Sequence, residues 1–491
     1  MRQPLLRRLL SAVLLLLPLG GSARADDELE AALRRTIGQR LWYGVYMMNE
    51  KVGYALTEAT ETKIGTSDAV AFTVKAHMKV TTLGQRQEVT IEQARIYRRT
   101  GELHSVSSRF KTGPSDVEIT ATVADGKMVV ASRMGLLTNQ KDLPVPRESL
   151  KDFLAAEALA KPEAKIGQQA TITEFEPTLL KEIEIVLTLK ERRTITYNGV
   201  PTRVCVIASK MPALGVETQM FVAEDGVAFE TSLGEMLVMR LEPEQVAKDT
   251  RYSTDIIRLG CVPLKPPPEH VAQSRSLRLQ VWGIQDDALA IDDDRQKWMK
   301  QPDGSRIVAI DVPGIDPKAA AKRPVADARF ARDLEPTLYA QSDDEGVKAL
   351  ASKIVGDERD AYAAAKKINH WVYTNLRKEG TPALSNAVET LRARAGDCTE
   401  HTILFVALAR AAGIPAREIA GVTAIEGGEG LYYHAWPEVW VGQWVAMDPT
   451  LNQEVADATH LKLAQGGPEN LFRIVSIFGR LKASVVPAPA R

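Results

Sequence analysis

Three residues with complementary chemistry stand in the last third of this 491-residue chain: Cys398, His434 and Asp448. Cys398 lies in Gly396-Asp397-Cys398-Thr399-Glu400-His401-Thr402, ahead of an apolar, alanine-rich segment that runs to Ala412. Gly413-Ile414-Pro415 then supplies a left-handed cap residue and a proline just beyond it, which together stop a helix. The pattern predicts a buried helix with Cys398 at its N-terminus. Unpaired amides and the positive end of the helix dipole favour thiolate over thiol there, and the same backbone N–H groups could bind an oxyanion. Downstream, Leu431 to Val441 and Trp444 to Thr450 flank a Gly442-Gln443 turn and read as a β-hairpin. Such a hairpin pairs residues whose numbers sum to about 885, which sets His434 opposite roughly position 451 and close to Asp448. That spacing suits an imidazole whose second nitrogen is oriented by a carboxylate.

Taken singly, each residue has a plain structural role available. A Cys at a helix start can be core, a His between aromatics can be a satisfied structural residue, and an Asp before Pro is common in turns. The combination in one stretch is what points to nucleophilic chemistry. Around it, His401 falls on the helical turn after Cys398 and could line the site or tune the thiolate, with a structural role preferred. Tyr433 and Glu438 flank His434 as supporting candidates. Trp436 could form a substrate wall with Trp440 and Trp444, against a default of hairpin packing. There are seven histidines and no pair at helical metal spacing beside acids, so neither a metal nor a cofactor is expected. Asp292-Asp293-Asp294 lacks calcium-loop spacing and reads as a solvated turn.

The run Gly-Asp-Cys, then Ala407 to Arg417 (Ala-Leu-Ala-Arg-Ala-Ala-Gly-Ile-Pro-Ala-Arg), then His434-Ala-Trp-Pro-Glu-Val-Trp-Val441, then Trp444-Val-Ala-Met-Asp-Pro-Thr450 closely resembles the core of the transglutaminase-like superfamily. The resemblance extends from about Leu338 to Asn452 and includes Ile368 to Val372 and Ala387 to Leu391. It implies a papain-like fold with Cys398 as nucleophile, His434 as general base and acid, and Asp448 as the residue orienting His434. Animal members carry an oxyanion-supporting Trp well upstream of the nucleophile. Trp371 shares a helical face with Ile368 and Val372 and reads as core instead.

These residues need elements to hold them. Ser342 is a candidate cap for a helix to about Val355, and further helices are expected over Asp360 to Leu376 and after Asn386. From Leu41 to Val262 the pattern is of strands: Phe72, Val74, Ala76, Met78 and Val80 alternate with polar residues, as do Ile183, Ile185, Leu187 and Leu189. Asp125-Gly126, Asn198-Gly199 and Asp225-Gly226 fall between such runs as tight turns. One helix interrupts near Ser149 to Ala160. The expected fold class is α+β, a C-terminal papain-like core of helices packed on an antiparallel sheet preceded by a large antiparallel β domain or open barrel. The expected division is a signal peptide over 1–25, a β domain over 26–262, and a linker with a small β segment over 263–325. The transglutaminase-like domain follows over 326–480, with a disordered tail over 481–491.

Arg2, Arg7 and Arg8, a leucine-rich run from Leu9 to Gly20 and Ala23-Arg24-Ala25 give the layout of a cleavable secretory signal. The apolar run is about 12 residues against the roughly 20 that a membrane span needs. The expected location is the periplasm or the cell exterior, with no membrane span after cleavage. Lys plus Arg (62) balances Asp plus Glu (63), which argues against a nucleic-acid partner. Three cysteines cannot build a disulfide scaffold, and an odd number leaves at least one thiol free. Cys205, in a strand-like apolar run, reads as core, and a Cys205–Cys261 bridge is one option. The combined expectation is an enzyme that forms a Cys thioester from an amide of a peptide or protein in the cell envelope, hydrolytic in preference to amine transfer. A non-catalytic envelope binding or assembly module is the alternative from another class. Nothing in the sequence sets the oligomeric state.

Overall fold

The computed structural model describes residues 25–82, 85–112, 115–134, 137–234, 236–253, 255, 260–265, 273–315, 321–337, 339–379, 386–466 and 472–486. The signal segment, except Ala25, and the last five residues lie outside these. The chain separates into two compact units near residue 256.

The N-terminal unit opens with a helix that the sequence reading did not anticipate, α1 (Ala25–Thr36), whose buried stripe of Leu29, Ala32, Leu33 and Thr36 follows helical spacing. A meander of antiparallel strands follows: β1 (Arg40–Met47), β2 (Glu50–Ile64), β3 (Ser67–Thr82), β4 (Gln85–Arg98), β5 (Leu103–Thr112), β6 (Ser115–Ala124), β7 (Lys127–Met134) and β8 (Leu137–Pro144). Helix α2 (Leu150–Ala158), capped by Ser149 as its sequence suggests, precedes a second meander. That one comprises β9 (Gln169–Glu176), β10 (Lys181–Tyr197), β11 (Val200–Met211), β12 (Val216–Val222), β13 (Ala228–Leu233) and β14 (Leu237–Leu241). Pairing of β1 with β14 joins the two meanders, so that among the described residues one fourteen-stranded sheet runs from β8 to β9. Asp125-Gly126 and Asn198-Gly199 make the expected turns, with both φ angles positive in each.

This sheet is rolled rather than flat. Nine strand-to-strand steps separate β4 from β9 in the sheet order, a span of about 43 Å if flat at ~4.8 Å per step. Yet Arg95 of β4 reaches Glu174 of β9 at 2.6 Å and the Phe175 carbonyl at 3.1 Å. The same guanidinium holds both oxygens of Glu148 at 2.8 Å, and Glu148 also accepts from the Phe175 N–H and the Tyr97 hydroxyl. All four side chains are buried. Burial lifts the Glu174 carboxyl to about 8 against the pull of Arg95, with Glu148 adding to the rise.

The C-terminal unit combines helices with short sheets. β15 (Val262–Pro263), β21 (Ala416–Ala424), β22 (Gly430–Trp440), β23 (Trp444–Ala446) and β24 (Leu461–Gln465) form the sheet that carries His434, in the order β15-β22-β21-β24 with β23 also on β22. β16 (Ser276–Trp282), β17 (Gln296–Lys300), β18 (Arg306–Asp311) and β25 (Lys482–Val485) form a second sheet. Two expectations are corrected here. The small β segment after 263 is part of this unit rather than of a linker. The tail is not disordered from 481: Leu481 is buried and β25 pairs with β16, because Ala483 and Val485 complete its open edge.

Helices α3 (Glu345–Val355), α4 (Ala361–Asn375), α5 (Ala387–Ala393) and α6 (Cys398–Ala411) pack together, and α6 lies against β21 and β22. Asp344, and not Ser342, caps α3, accepting from the Val347 N–H. Asp360 and Asn386 cap α4 and α5, close to the expected starts. Among the described residues no helix is long and apolar enough to cross a membrane.

Because buried Arg95 binds both Glu148, after β8, and Glu174 of β9, Arg95→Ala should destabilise the N-terminal unit by about 3–5 kcal/mol. Denaturant unfolding of the full chain measures this directly, and a loss below about 1 kcal/mol would remove the cluster as the fastener of the rolled sheet.

Candidate active site

Cys398 is the first residue of α6 because Asp397 caps it. The Asp397 carboxylate accepts from the Thr399 N–H at 2.7 Å, and the Glu400 side chain returns to the Asp397 N–H at 3.0 Å, completing a capping box. A Cβ at Gly396 would lie 2.3 Å from the Glu400 Cβ, so this fold-back requires glycine there. The approach is further pinned by β20 (Ala395–Gly396), which pairs in parallel with β19 (Arg377–Lys378). From Thr399 to Arg410 the helix is buried, whereas Cys398 itself keeps part of its surface exposed. Gly413, at φ 74°, ends it as the sequence indicates.

His434 sits in the middle of β22, opposite Gly421 of β21. A Cβ at Gly421 would meet the Leu461 carbonyl at 2.0 Å and the Trp436 ring at 2.8 Å, so glycine allows β24 and Trp436 to close beneath the imidazole. The β22–β23 hairpin pairs Glu438 with Ala446 and Trp440 with Trp444, one position from the expected register. The strand ends at Ala446, however, and Asp448 enters from a turn closed by paired backbone hydrogen bonds between Asp448 and Gln453.

The structure brings the three sequence-predicted residues together. His434 Nε2 lies 2.7 Å from Asp448 Oδ2, and the imidazole also hydrogen-bonds the Cys398 side chain. With Nε2 given to Asp448, Nδ1 is the nitrogen left for Cys398. Asp448 is fully buried, and its Oδ1 accepts the N–H groups of Thr450 (2.7 Å) and Leu451 (2.9 Å). Burial opposes charge on His434, but the Asp448 and Cys398 charges and hydrogen bonds outweigh it and raise the imidazole to about 10. Burial likewise opposes ionisation of Asp448, and His434 and His460 hold its carboxyl far below the usual range. At Cys398 burial pushes the thiol up and the adjacent Asp397 carboxylate adds to the rise, while the charge and hydrogen bond of His434 pull it down. The arrangement supports a thiolate–imidazolium pair with a fixed carboxylate behind it.

The other candidates divide. His401 is buried, its Nδ1 bonded at 2.8 Å to the Asp397 carbonyl, so it braces the loop that carries Cys398. Burial lowers its affinity for a proton. Trp436 is fully buried under His434, its ring 6.1 Å away and tilted 23°, within a core of Ile419, Ala446 and Ala456. Tyr433, on the other face of β22, donates to the Ile477 carbonyl and stacks on Phe478. Glu438 pairs with Arg417 and with Lys462, both at 2.7 Å, so its role is ionic packing. Trp440 and Trp444 pack on Phe330 and on each other, with Arg417 over Trp444, which is hairpin packing rather than a substrate wall. Trp371 is only half-buried and lies beneath the Arg394 guanidinium. Asp293 is no plain solvated turn residue: it accepts from the Arg295 and Gln296 N–H groups and pairs with buried Lys462. All three cysteines are free thiols, so Cys205 and Cys261 do not bridge.

His460 was missed. It is fully buried, and its Nε2 lies 3.1 Å from the same Asp448 oxygen that meets His434. The available signal was Asp457-Ala458-Thr459-His460, an Asx-type turn just before the apolar strand β24. The ligand-type atoms of His434, Asp448 and His460 all lie within 4.8 Å of one another. They are already consumed by hydrogen bonds among themselves, and a cation is not needed to explain them.

Residues 348–449 match the model of the transglutaminase-like superfamily. An uncharacterized protein of Haemophilus influenzae is 35% identical over 107 residues, which cover 20% of this chain and 29% of that protein. This chain thus spans less than a third of that relative's length. Among solved structures, it is similar to a candidate cysteine protease from Cytophaga hutchinsonii, with 20% identity, a TM-score of 0.33, and 45% of this chain and 89% of that one covered. It is also similar to a beta-barrel-like protein of a domain of unknown function from Brucella abortus (12% identity, TM-score 0.30, 41% of this chain and 94% of that one). A third is the periplasmic domain of TgpA from Pseudomonas aeruginosa, bound to ethylmercury (14% identity, TM-score 0.23, 55% and 72%).

If Asp448 sustains the charge on His434, Asp448→Asn should lower the titration point of His434 by about 1–3 pH units from its native value near 10. Nitrogen NMR of histidine-labelled protein reads this, and an unmoved His434 would show that Cys398 alone sets it. The matched segment, which contains Cys398, His434 and Asp448 but ends before His460, is a transglutaminase-like core.

Proposed function

We propose that the chain is an exported cysteine enzyme that cleaves amide or peptide bonds of a peptide or protein in the cell envelope. The observation that carries this is the hydrogen-bonded line from Cys398 through His434 to buried Asp448, with Cys398 at a capped helix N-terminus and partly open to solvent. The export part rests on the Arg2-to-Ala25 signal pattern.

In this reading the Cys398 thiolate adds to the carbonyl carbon, and the oxyanion forms beside the first turn of α6, at the positive end of the helix dipole. The C–N bond breaks as His434 passes its proton to the departing amine, leaving the acyl group as a thioester on Sγ. Water then adds, His434 takes one of its protons, and the C–S bond breaks to release a carboxylic acid, which ionises to solvent, and to restore the ion pair. Asp448 keeps the imidazole in one orientation throughout. Hydrolysis is preferred to transfer onto an amine because nothing in the chain resembles calcium control of a cross-linking enzyme.

Iodoacetamide tests the nucleophile. Cys398 should label at neutral pH at least about tenfold faster than a free model thiol, and His434→Ala should abolish the excess. Labelling no faster than the model thiol would leave the non-catalytic binding module as the better account. For an enzyme that passes, a fluorescent primary amine offered with envelope peptides separates the two acceptors: cleavage without amine incorporation supports hydrolysis, and incorporation overturns it.

A further inference from the structure

Hydrogen-bond accounting around His460 goes beyond the three-residue line. Its Nε2 faces Asp448 Oδ2 at 3.1 Å, and its Nδ1 faces Asp457 Oδ1 at 3.2 Å, the Asp457 carbonyl at 3.3 Å and Thr423 Oγ1 at 3.2 Å. Thr423 Oγ1 donates to the Ala424 carbonyl at 3.4 Å, and Thr459 Oγ1 donates to Asp457 Oδ1 at 2.5 Å. Each ring nitrogen of His460 thus faces a carboxylate oxygen, and an imidazole donates to two carboxylates only when both nitrogens carry protons.

The surrounding charges agree. Asp448, Asp457 and a Cys398 thiolate are three negative groups, while His434 and Arg295 are two positive ones, Arg295 donating to the Ala456 and Asp457 carbonyls. His401 on α6, which also faces Asp448, is kept neutral by burial, and Lys462 on β24 is engaged by Glu438 and Asp293. The indole of Trp436, perpendicular to the His460 ring at 5.0 Å, is a favourable neighbour for a cation.

We propose that His460 is a positioning residue, a second imidazolium held between Asp448 and Asp457, which fixes the Asp448 carboxylate and restrains the proton affinity of His434. The ring centroids of the two histidines are 6.0 Å apart, so the charge on one disfavours the charge on the other. His434, raised by Asp448 and Cys398, is thereby kept able to release its proton to a leaving amine. This role rests on the enzyme reading above, but the charge state of His460 does not.

Nitrogen NMR of the histidine-labelled full chain at pH 7 tests the charge first: both ring nitrogens of His460 should be protonated, and a ring with one bare nitrogen would overturn the proposal. His460→Gln keeps one N–H for Asp448 and removes the charge. The His434 titration point should then rise on the order of one pH unit, a shift that a purely structural role would not produce. A folded His460→Gln protein in which His434 does not move would overturn the restraining role. If that variant fails to fold, the wild-type spectrum still decides the charge. Slow alkylation of Cys398 in the wild type would sink the enzyme reading while leaving the His460 spectrum to be judged separately.

Discussion

The Asp448 carboxylate is the constraint on which the site depends. It is fully buried and charged, a state tolerable only when its lone pairs are met by good donors. Four donors meet it: the Thr450 and Leu451 amides on Oδ1, and the His434 and His460 imidazoles on Oδ2. Two of these come from its own turn, one from β22 and one from the turn that leads into β24, the strands on either side of β21. A carboxylate satisfied in this way cannot rotate without abandoning a bond, so the orientation of His434 follows from the way the Asp448 turn closes on Gln453.

The same constraint explains features that look unrelated to chemistry. The Asp448 turn needs β24 close to β21, and this requires a residue without a side chain where β21 passes Leu461, which Gly421 supplies. It also needs a floor under both imidazoles, which Trp436 provides from the next inward position of β22. On the other side, Cys398 reaches His434 only if α6 begins where it does, and that start is set by Asp397, Glu400 and Gly396 together. The proposed nucleophile and its partners are thus placed by caps, turns and a close strand crossing, with no loop freedom left between them.

That division decides how much the sequence could reveal. The apolar run after Cys398, the Gly413 stop and the Gly442 hairpin are local signals, and reading them located Cys398 and His434 on the correct elements. Asp448 was found for a partly mistaken reason, since the hairpin register was nearly right but the strand stops before reaching it. His460 was invisible because its meaning is non-local: it gains a role only once β24 is laid beside β21. The rolling of the N-terminal sheet was open for the same reason. Alternation in Phe72 to Val80 reports a face, whereas the contact of Arg95 with Glu174 joins strands nine steps apart. The α3 cap shows the limit of local reading too, since Ser342, Asp343 and Asp344 are all plausible caps and only packing selects Asp344.

The two units each contain a buried ionic cluster, and comparing them shows what makes only one a candidate for chemistry. Burial and neighbouring charges move the proton affinities of Arg95, Glu174 and Tyr97 strongly, as they do that of Asp448. Perturbed titration alone does not separate a structural network from an active one. The N-terminal cluster is closed: every member is buried, each charged group is matched within it, and it holds no nucleophile. The C-terminal cluster ends on Cys398, a residue that keeps part of its surface exposed and whose side chain hydrogen-bonds an imidazole able to gain and lose a proton. Charge buried to lock a fold needs no exit. The line from Asp448 through His434 has one at Cys398, and that opening is the physical argument for placing the reaction there.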